Sequence, residues 1–278
     1  MPPEPQDSPT PVPGQPRARG RIALSLCRSA RGTEIARLHH SGAMKALFPR
    51  EGGTGLRAVL INTAGGVTGG DSLGCRIRAG AGTSATITTQ GAERAYRALP
   101  GQSAMVDNRL RLDAGARLRW LPQETILFRG ASFRRRLLVE MAEDAALLLA
   151  EPVVFGRAAM GERLEEAAFE DRLEIRRNGR LIWLESLRMH GDIAARLARR
   201  YLAGGAGAMA GLVYVAPDAP LQLERLRALL PETAGASMPA PDMVILRLLA
   251  RDGYLMRRAL IPILALLTDD DLPRSWAR

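Results

Sequence analysis

Cysteine is scarce here, and so are lysine, histidine and aromatic residues. The 278 residues include only Cys27 and Cys75, with no CxxC pair, so a zinc site built on that spacing is excluded and both thiols are expected to be small buried or half-buried side chains. The only histidines are His39, His40 and His190, which leaves little for acid–base chemistry at neutral pH. Adjacent residues on a regular element point apart, so one metal ion would seldom take both His39 and His40; they are expected in a loop before Ser41-Gly42. Aromatics make up 4% of the chain, too few to furnish stacking platforms for single-stranded nucleic acid. No membrane span is expected: the apolar run Ala259–Leu267 has nine residues and contains Pro262, against roughly 18–20 for a crossing helix. The N-terminus shows no apolar signal region, so a cytoplasmic protein is expected.

No nucleophile with a local base signature occurs: there is no GxSxG elbow, HExxH or P-loop. The net charge is +10, yet of the 39 lysines and arginines only Lys45 is a lysine, which reads as coding bias as much as a nucleic-acid footprint. Two readings stay open beside the one developed below: a basic nucleic-acid-binding protein, and an enzyme using a carboxylate pair.

Residues 1–19 contain seven prolines and almost no large apolar side chain, so they are expected to form a disordered tail ahead of a single domain over 20–278. The rest reads as strands separated by glycine turns. Leu73, Cys75, Ile77 and Ala79 alternate with Gly74, Arg76 and Arg78, the period of a strand with one buried face. Three segments look alike, starting at Ala81, Ala114 and Glu143, with spacings of 33 and 29 residues. Such a repeat suggests strands stacked in successive layers, so a mainly β fold, antiparallel or layered, is expected, with a few helices in the C-terminal third. Asn178-Gly179 predicts a type I′ hairpin. Asp192 predicts a helix cap for Ile193, Leu197 and Tyr201, and Pro220–Leu230 a second helix. Residues up to Gly211 are expected to be a loop and Thr233–Ala240 a linker. Asp252–Leu267 predicts a third helix, bent or ended by Pro262.

The loop Gly65-Gly66-Val67-Thr68-Gly69-Gly70-Asp71 joins strand to strand. A phosphate cradle would open a helix instead, so this loop is not read as a nucleotide site. Asp71 beside its backbone N–H groups is either a fixed acceptor or a weak metal contact. Glu124, Glu151, Glu162 and Glu185 are the other carboxylates in distinctive contexts; hard oxygen donors suit exchangeable, partly hydrated divalent cations. Arg109 and Arg111 share one strand face, and Arg117 and Arg119 share a face of the next. If those strands pair across the Asp113 turn, four like charges crowd one surface, and an acidic protein partner would relieve them.

Several of these stretches carry a resemblance. LINTAGGVTGGDSL with ITTQGAERAYR, LRWLPQETILF, GRAAMGE and the terminal LPRSW run in the order seen in the UreD (UreH) family of urease accessory proteins. Departures exist: many members have HPPGG where this chain has Asn62-Thr63-Ala64 before Gly65, Arg119 replaces a common acidic residue, and Arg163-Leu164 replaces a frequent aromatic. The resemblance implies a helical β-topology and a maturation factor rather than a catalyst. It implies binding to apo-urease and to UreF, with the GTPase UreG recruited through UreF, and no stably bound cofactor. It further implies nickel in transit along a polar interior lined by Asp71, Glu151 and Glu185, and the C-terminal helix as the surface for UreF.

Overall fold

The computed structural model describes residues 16–50 and 55–276. Most of the expected tail therefore lies outside the described residues. In chain order the strands are β1 (Arg19–Ser29), β2 (Gly32–Gly42), β3 (Met44–Leu47), β4 (Leu56–Asn62), β5 (Ser72–Ala79), β6 (Ser84–Thr89), β7 (Glu93–Ala95), β8 (Ala104–Leu112) and β9 (Arg117–Leu121). They continue with β10 (Thr125–Leu127), β11 (Ser132–Met141), β12 (Ala146–Phe155), β13 (Ala167–Arg177), β14 (Arg180–Gly191), β15 (Ala208–Val215), β16 (Ala234–Ala240) and β17 (Met243–Ala250). The helices are α1 (Ile193–Ala198), α2 (Ala219–Arg227) and α3 (Gly253–Thr268).

Two sheets result. The first runs β14-β13-β11-β8-β5-β1-β2, and the second β16-β17-β15-β12-β9-β6-β4-β3, with the short β7 and β10 attached beside β12. From β5 onward the chain alternates between them: β5, β8 and β11 in the first, β6, β9 and β12 in the second. Each turn at Gly80–Gly82, Asp113–Gly115 and Ala142–Asp144 carries the chain across to the other sheet, not back along the same one. Successive passes therefore stack in parallel. The repeat spacings reappear as strand register. Ser84 faces Arg117 and Arg117 faces Ala146 in the second sheet, while Ser72 faces Met105 and Met105 faces Arg134 in the first. The layered helical expectation holds, and the central pairings are parallel; antiparallel pairs occur at the flanks.

This register aligns apolar side chains in ladders. Leu24, Ile77, Leu110, Val139 and Ile175 are neighbours across five parallel strands, all fully buried. Burying each contributes about 1.5–3 kcal/mol. Ala58, Ile87, Trp120, Leu149 and Val213 form the matching ladder of the second sheet, and the two ladders enclose the main core. The outer face of the second sheet carries another core, where Leu148, Leu212 and Leu246 pack with Leu226 of α2, Leu260 and Ile263 of α3, and Trp276. β12 is buried on both faces, which is why its sequence, apart from Glu151, is apolar rather than alternating. All the large helices lie on that side. Among the described residues none of the large helices packs on the outer face of the first sheet.

Several local expectations hold. Asn178 and Gly179 have φ of 48° and 78°, as a type I′ turn requires. Asp192 and Asp252 cap α1 and α3 by accepting from Ala195 N and Leu255 N, each at 2.8 Å. Others are corrected. α1 stops at Ala198, where turn hydrogen bonds such as Gly205 N to Leu197 O (2.8 Å) take over, and Tyr201 is left exposed. The expected loop up to Gly211 is already strand β15 from Ala208. Thr233–Ala240 is not a linker; β16 pairs with β17 as an edge strand. Its pattern AGASMPA hides this because an edge strand has little to bury, and Pro239 falls in the register break between Ser237 and Ala240. The helix expected over Asp252–Leu267 does form, as α3, and Pro262 does not end it: it runs to Thr268 because its apolar face is held in the second core. His39 and His40 lie on β2, exposed, and Cys27 is exposed while Cys75 is buried.

The arginine expectation is corrected too. β8 and β9 belong to different sheets, because the Asp113 turn crosses between layers and makes no hairpin. Arg109 and Arg111 stand on the open face of the first sheet. Arg119 lies on the second sheet, where it bonds Asp271 at 3.0 Å and the Thr268 carbonyl at 3.2 Å, so the four do not crowd one surface.

Candidate functional site

Alternation puts every second side chain of a strand between the sheets, and at several of those positions this chain places a polar residue. Asn108 stands between Val106 and Leu110, Arg135 between Phe133 and Leu137, and Asp171 between Phe169 and Leu173. Glu151 interrupts the apolar run of β12, and Glu185 lies opposite Leu173 on β14. Each pays desolvation unless it finds a partner, so they are expected to meet one another.

They do. Arg135 Nε donates to Asp171 Oδ1 at 3.0 Å and Nη2 to Oδ2 at 2.6 Å. The same guanidinium reaches Glu151 Oε2 at 3.5 Å and Thr125 Oγ1 at 3.4 Å. Trp120 Nε1 donates to the other oxygen of Glu151 at 3.2 Å. Glu185 is held by Arg247 at 2.6 Å. Towards the glycine loop, Asn62 Nδ2 bridges Glu93 (3.0 and 3.2 Å) and the Gly66 carbonyl (3.0 Å).

These groups border three spaces. A cavity of about 360 Å³ lies between the sheets and opens beside Gly65, Gly66, Gly91 and Glu93, with Asn108, Arg135 and Glu151 on its wall. A depression of about 350 Å³ on the open face of the first sheet has Arg135 and Asp171 at its floor. A void of about 20 Å³, room for about one water, touches Glu151, Asp171 and Glu185. The cluster of Arg135, Glu151 and Asp171 is thus a shared wall between them.

Burial sets the electrostatics. It pushes the Glu151 carboxyl up to about 7, against the opposing pull of Arg135, and the Asp171 charge adds to the rise. Arg135 gives its two-pronged contact to Asp171, so Glu151 receives the weaker share. Burial also raises Glu185 and Glu93. Burial works against the Arg135 charge, but Asp171 and Glu151 outweigh it and hold the guanidinium protonated. Cys75 is pushed far up by burial, with Asp107 and Glu151 adding, which leaves an inert thiol.

Of the carboxylates singled out from sequence, Glu151 and Glu185 meet at the small void. Asp71 lies elsewhere: it is buried, and its two oxygens accept from Ala18 N (2.7 Å) and Thr68 N (2.8 Å), fixing the glycine loop to the start of β1. Glu124 bonds Arg257 of α3 at 3.1 Å, and Glu162 pairs with Arg157. Glu93, Arg135 and Asp171 were missed. Their signal was legible in two cases, a charged residue at the core phase of an alternating strand. Among the described residues, no group of three His, Cys, Asp or Glu side chains is arranged to hold a metal ion. No described helix is long and apolar enough to cross a membrane.

The geometry defines a class: a helical two-sheet β-protein whose charged groups converge in its interior and not around a nucleophile. The family model described as UreD urease accessory protein matches residues 18–277. A urease accessory protein UreD of Ruegeria pomeroyi is 54% identical over 242 residues, covering 87% of this chain and 94% of its own length. That of Roseobacter denitrificans is 49% identical over 262 residues (94% and 96%), and that of Rhizobium etli 42% over 265 residues (95% and 96%). The chain belongs to the UreD family of urease accessory proteins, and its role is in urease maturation.

Proposed function

We propose that this chain is the scaffold through which nickel reaches urease. It binds apo-urease and UreF, UreF brings UreG, and nickel passes as cargo along the buried carboxylates. The chain catalyses no reaction itself, holds no cofactor stably and works in the cytoplasm. The observation that carries this reading is the set of buried polar groups in the interior: Glu93, Arg135 and Glu151 on the cavity wall, and Glu151, Asp171 and Glu185 around the small void, joined by Arg135. A protein stabilised only by its core would fill these positions with apolar side chains, since burying charge costs more than it returns.

Carboxylate oxygens suit a cation that must be released again. Arg135 and Arg247 keep the acids partly neutralised, so the line favours passage over trapping. Asp71 enters as the residue that holds the glycine loop at the mouth. For UreF the candidate surface lies at the N-terminal end of α3. The apolar face of that helix is buried, but Leu255 borders a groove of about 1020 Å³ with Leu202, Leu229 and Leu230, rimmed by Arg200, Arg251 and Arg258.

The test is co-expression of the tagged chain with the urease structural subunits and UreF, scoring co-purification and urease nickel together. Wild type is expected to form the complex and load urease. Glu151→Gln with Glu185→Gln is expected to form the complex and load poorly. Full loading by the double variant would remove the interior from the proposal, and absence of any complex would remove the scaffold role.

A further inference from the structure

The open face of the first sheet is a field of arginine. The central strands β5, β8 and β11 point Arg76, Arg78, Arg109, Arg111, Arg134 and Arg136 outwards, all exposed, against two carboxylates, Asp107 and Glu140. Parallel stacking places like charges side by side: Arg76 is directly opposite Arg109, and Arg78 directly opposite Arg111. Neighbouring strands lie about 4.8 Å apart, where facing like charges are destabilising. The counter-charges are few. Asp113 serves both Arg78 (2.8 Å) and Arg111 (3.3 Å), Asp107 reaches Arg109 at 3.4 Å, and Glu170 of the flanking β13 reaches Arg134 at 3.5 Å. These arginines do not coat a bulge. Arg76, Arg78, Arg109 and Arg111 ring a depression of about 280 Å³ between the strands, with the single carboxylate Glu140 on its wall. Among the described residues no helix covers this face, whereas the opposite face has a helical layer.

We propose that this face is a docking surface for the acidic surface of a protein partner, whose carboxylates enter the depression between Arg76, Arg78, Arg109 and Arg111. The proposal redraws the basic surface read from sequence: Arg109 and Arg111 belong to it, Arg117 and Arg119 do not. Fixed cationic rows speed encounter with an anionic surface and set its register. A protein fits better than a nucleic acid. Asp107 and Glu140 interrupt the arginine rows and would repel a uniformly charged phosphate backbone, whereas a mixed-charge protein surface can meet both signs. No aromatic side chain points outward from these three strands to stack a base. With apo-urease as the probe, the inference rests on the function proposed above; an acidic peptide probe does not.

The experiment uses the full chain as wild type, Arg76→Gln with Arg109→Gln, and Arg117→Gln as a basic control on the other sheet. Neutralising facing like charges relieves repulsion, so the double variant is expected to fold with unchanged or raised Tm. Each protein is tested for retention of apo-urease, and for binding a labelled glutamate-rich peptide with interspersed lysines and a labelled DNA duplex at physiological salt. The expected result is loss of urease retention and a drop of about tenfold or more in peptide affinity for the double variant alone, both weakening with salt. Equal retention and equal peptide binding by all three proteins overturns the proposal. Tighter binding of the duplex than the peptide through the same arginines overturns the protein assignment. If wild type retains no urease, the scaffold reading fails; peptide binding that depends on Arg76 and Arg109 then still supports the acidic-partner surface, and its absence overturns it.

Discussion

Arg135 and Asp171 stand directly opposite each other on adjacent parallel strands and join through two hydrogen bonds, of 3.0 and 2.6 Å, in the interior of the protein. Such a pair is weak as a source of stability and costly to break, because removing one partner leaves the other charge buried. Asp171→Asn is therefore expected to cost about 3 kcal/mol, and Arg135→Met with Asp171→Leu and Glu151→Leu, which removes every charge the guanidinium holds, to recover most of it. Urea unfolding of the full chain measures both. A triple variant as unstable as the single one would mean that the charged cluster anchors the fold.

Glu151 gives the stability curve a pH-dependent component. Its folded value of about 7 lies above its ordinary 4.5, so the folded state binds a proton more tightly than the unfolded one. Below about 4.5 both states are protonated and nothing is lost. As pH rises towards about 7, the folded protein must carry a buried charge, and stability falls by about 3 kcal/mol in total. Glu151→Gln keeps the shape and cannot ionise. The variant is expected to match wild type near pH 5 and to exceed it at pH 8. Parallel stability curves for the two proteins across that range would show that Glu151 does not carry the shift.

Layer order was legible in the sequence because it depends on local pattern. The 33- and 29-residue spacings of the repeat became the register of both sheets, and the Leu73–Ala79 alternation became a buried face. What pattern could not give was where each turn delivers the chain. A turn at Asp113 that crosses between sheets and one that closes a hairpin read alike, since both need the same glycine geometry, and the Arg109–Arg119 surface was misdrawn for that reason. The site was half legible. Glu151 and Glu185 stood out by context, but Arg135 sits in the run Arg134-Arg135-Arg136, where only strand phase separates the buried arginine from its exposed neighbours. Edge strand β16 was invisible because its pairing is held by backbone and not by side-chain burial.

Gly66 shapes the cavity mouth by what it lacks. Its φ is +148°, and a Cβ there would lie 2.3 Å from the Tyr96 ring and 2.7 Å from the Arg94 carbonyl. Gly65 also has positive φ, +75°, but open space around it. Gly66→Ala is expected to lower stability by about 2–3 kcal/mol, through strain and clash together, and Gly65→Ala by about 1 kcal/mol, through strain alone. Thermal unfolding ranks the two. Equal losses would mean that Tyr96 moves aside freely.

Asp71 separates a structural from a cargo role by chemistry. Both of its oxygens are engaged by backbone N–H groups of Ala18 and Thr68, and β1 pairs with β5 from Ser72 onward. Asp71→Ala leaves two donors without their acceptor, at a cost of about 2–3 kcal/mol. Asp71→Asn retains one acceptor oxygen and should lose about half as much. If the residue acts by fixing the loop, nickel loading of urease follows stability across the series, with aspartate first, asparagine next and alanine last. If it contacts the cargo through its charge, asparagine and alanine load equally poorly despite their different stabilities. The arrangement of both oxygens favours the first order, and paired measurements of unfolding and urease nickel on the three proteins decide it.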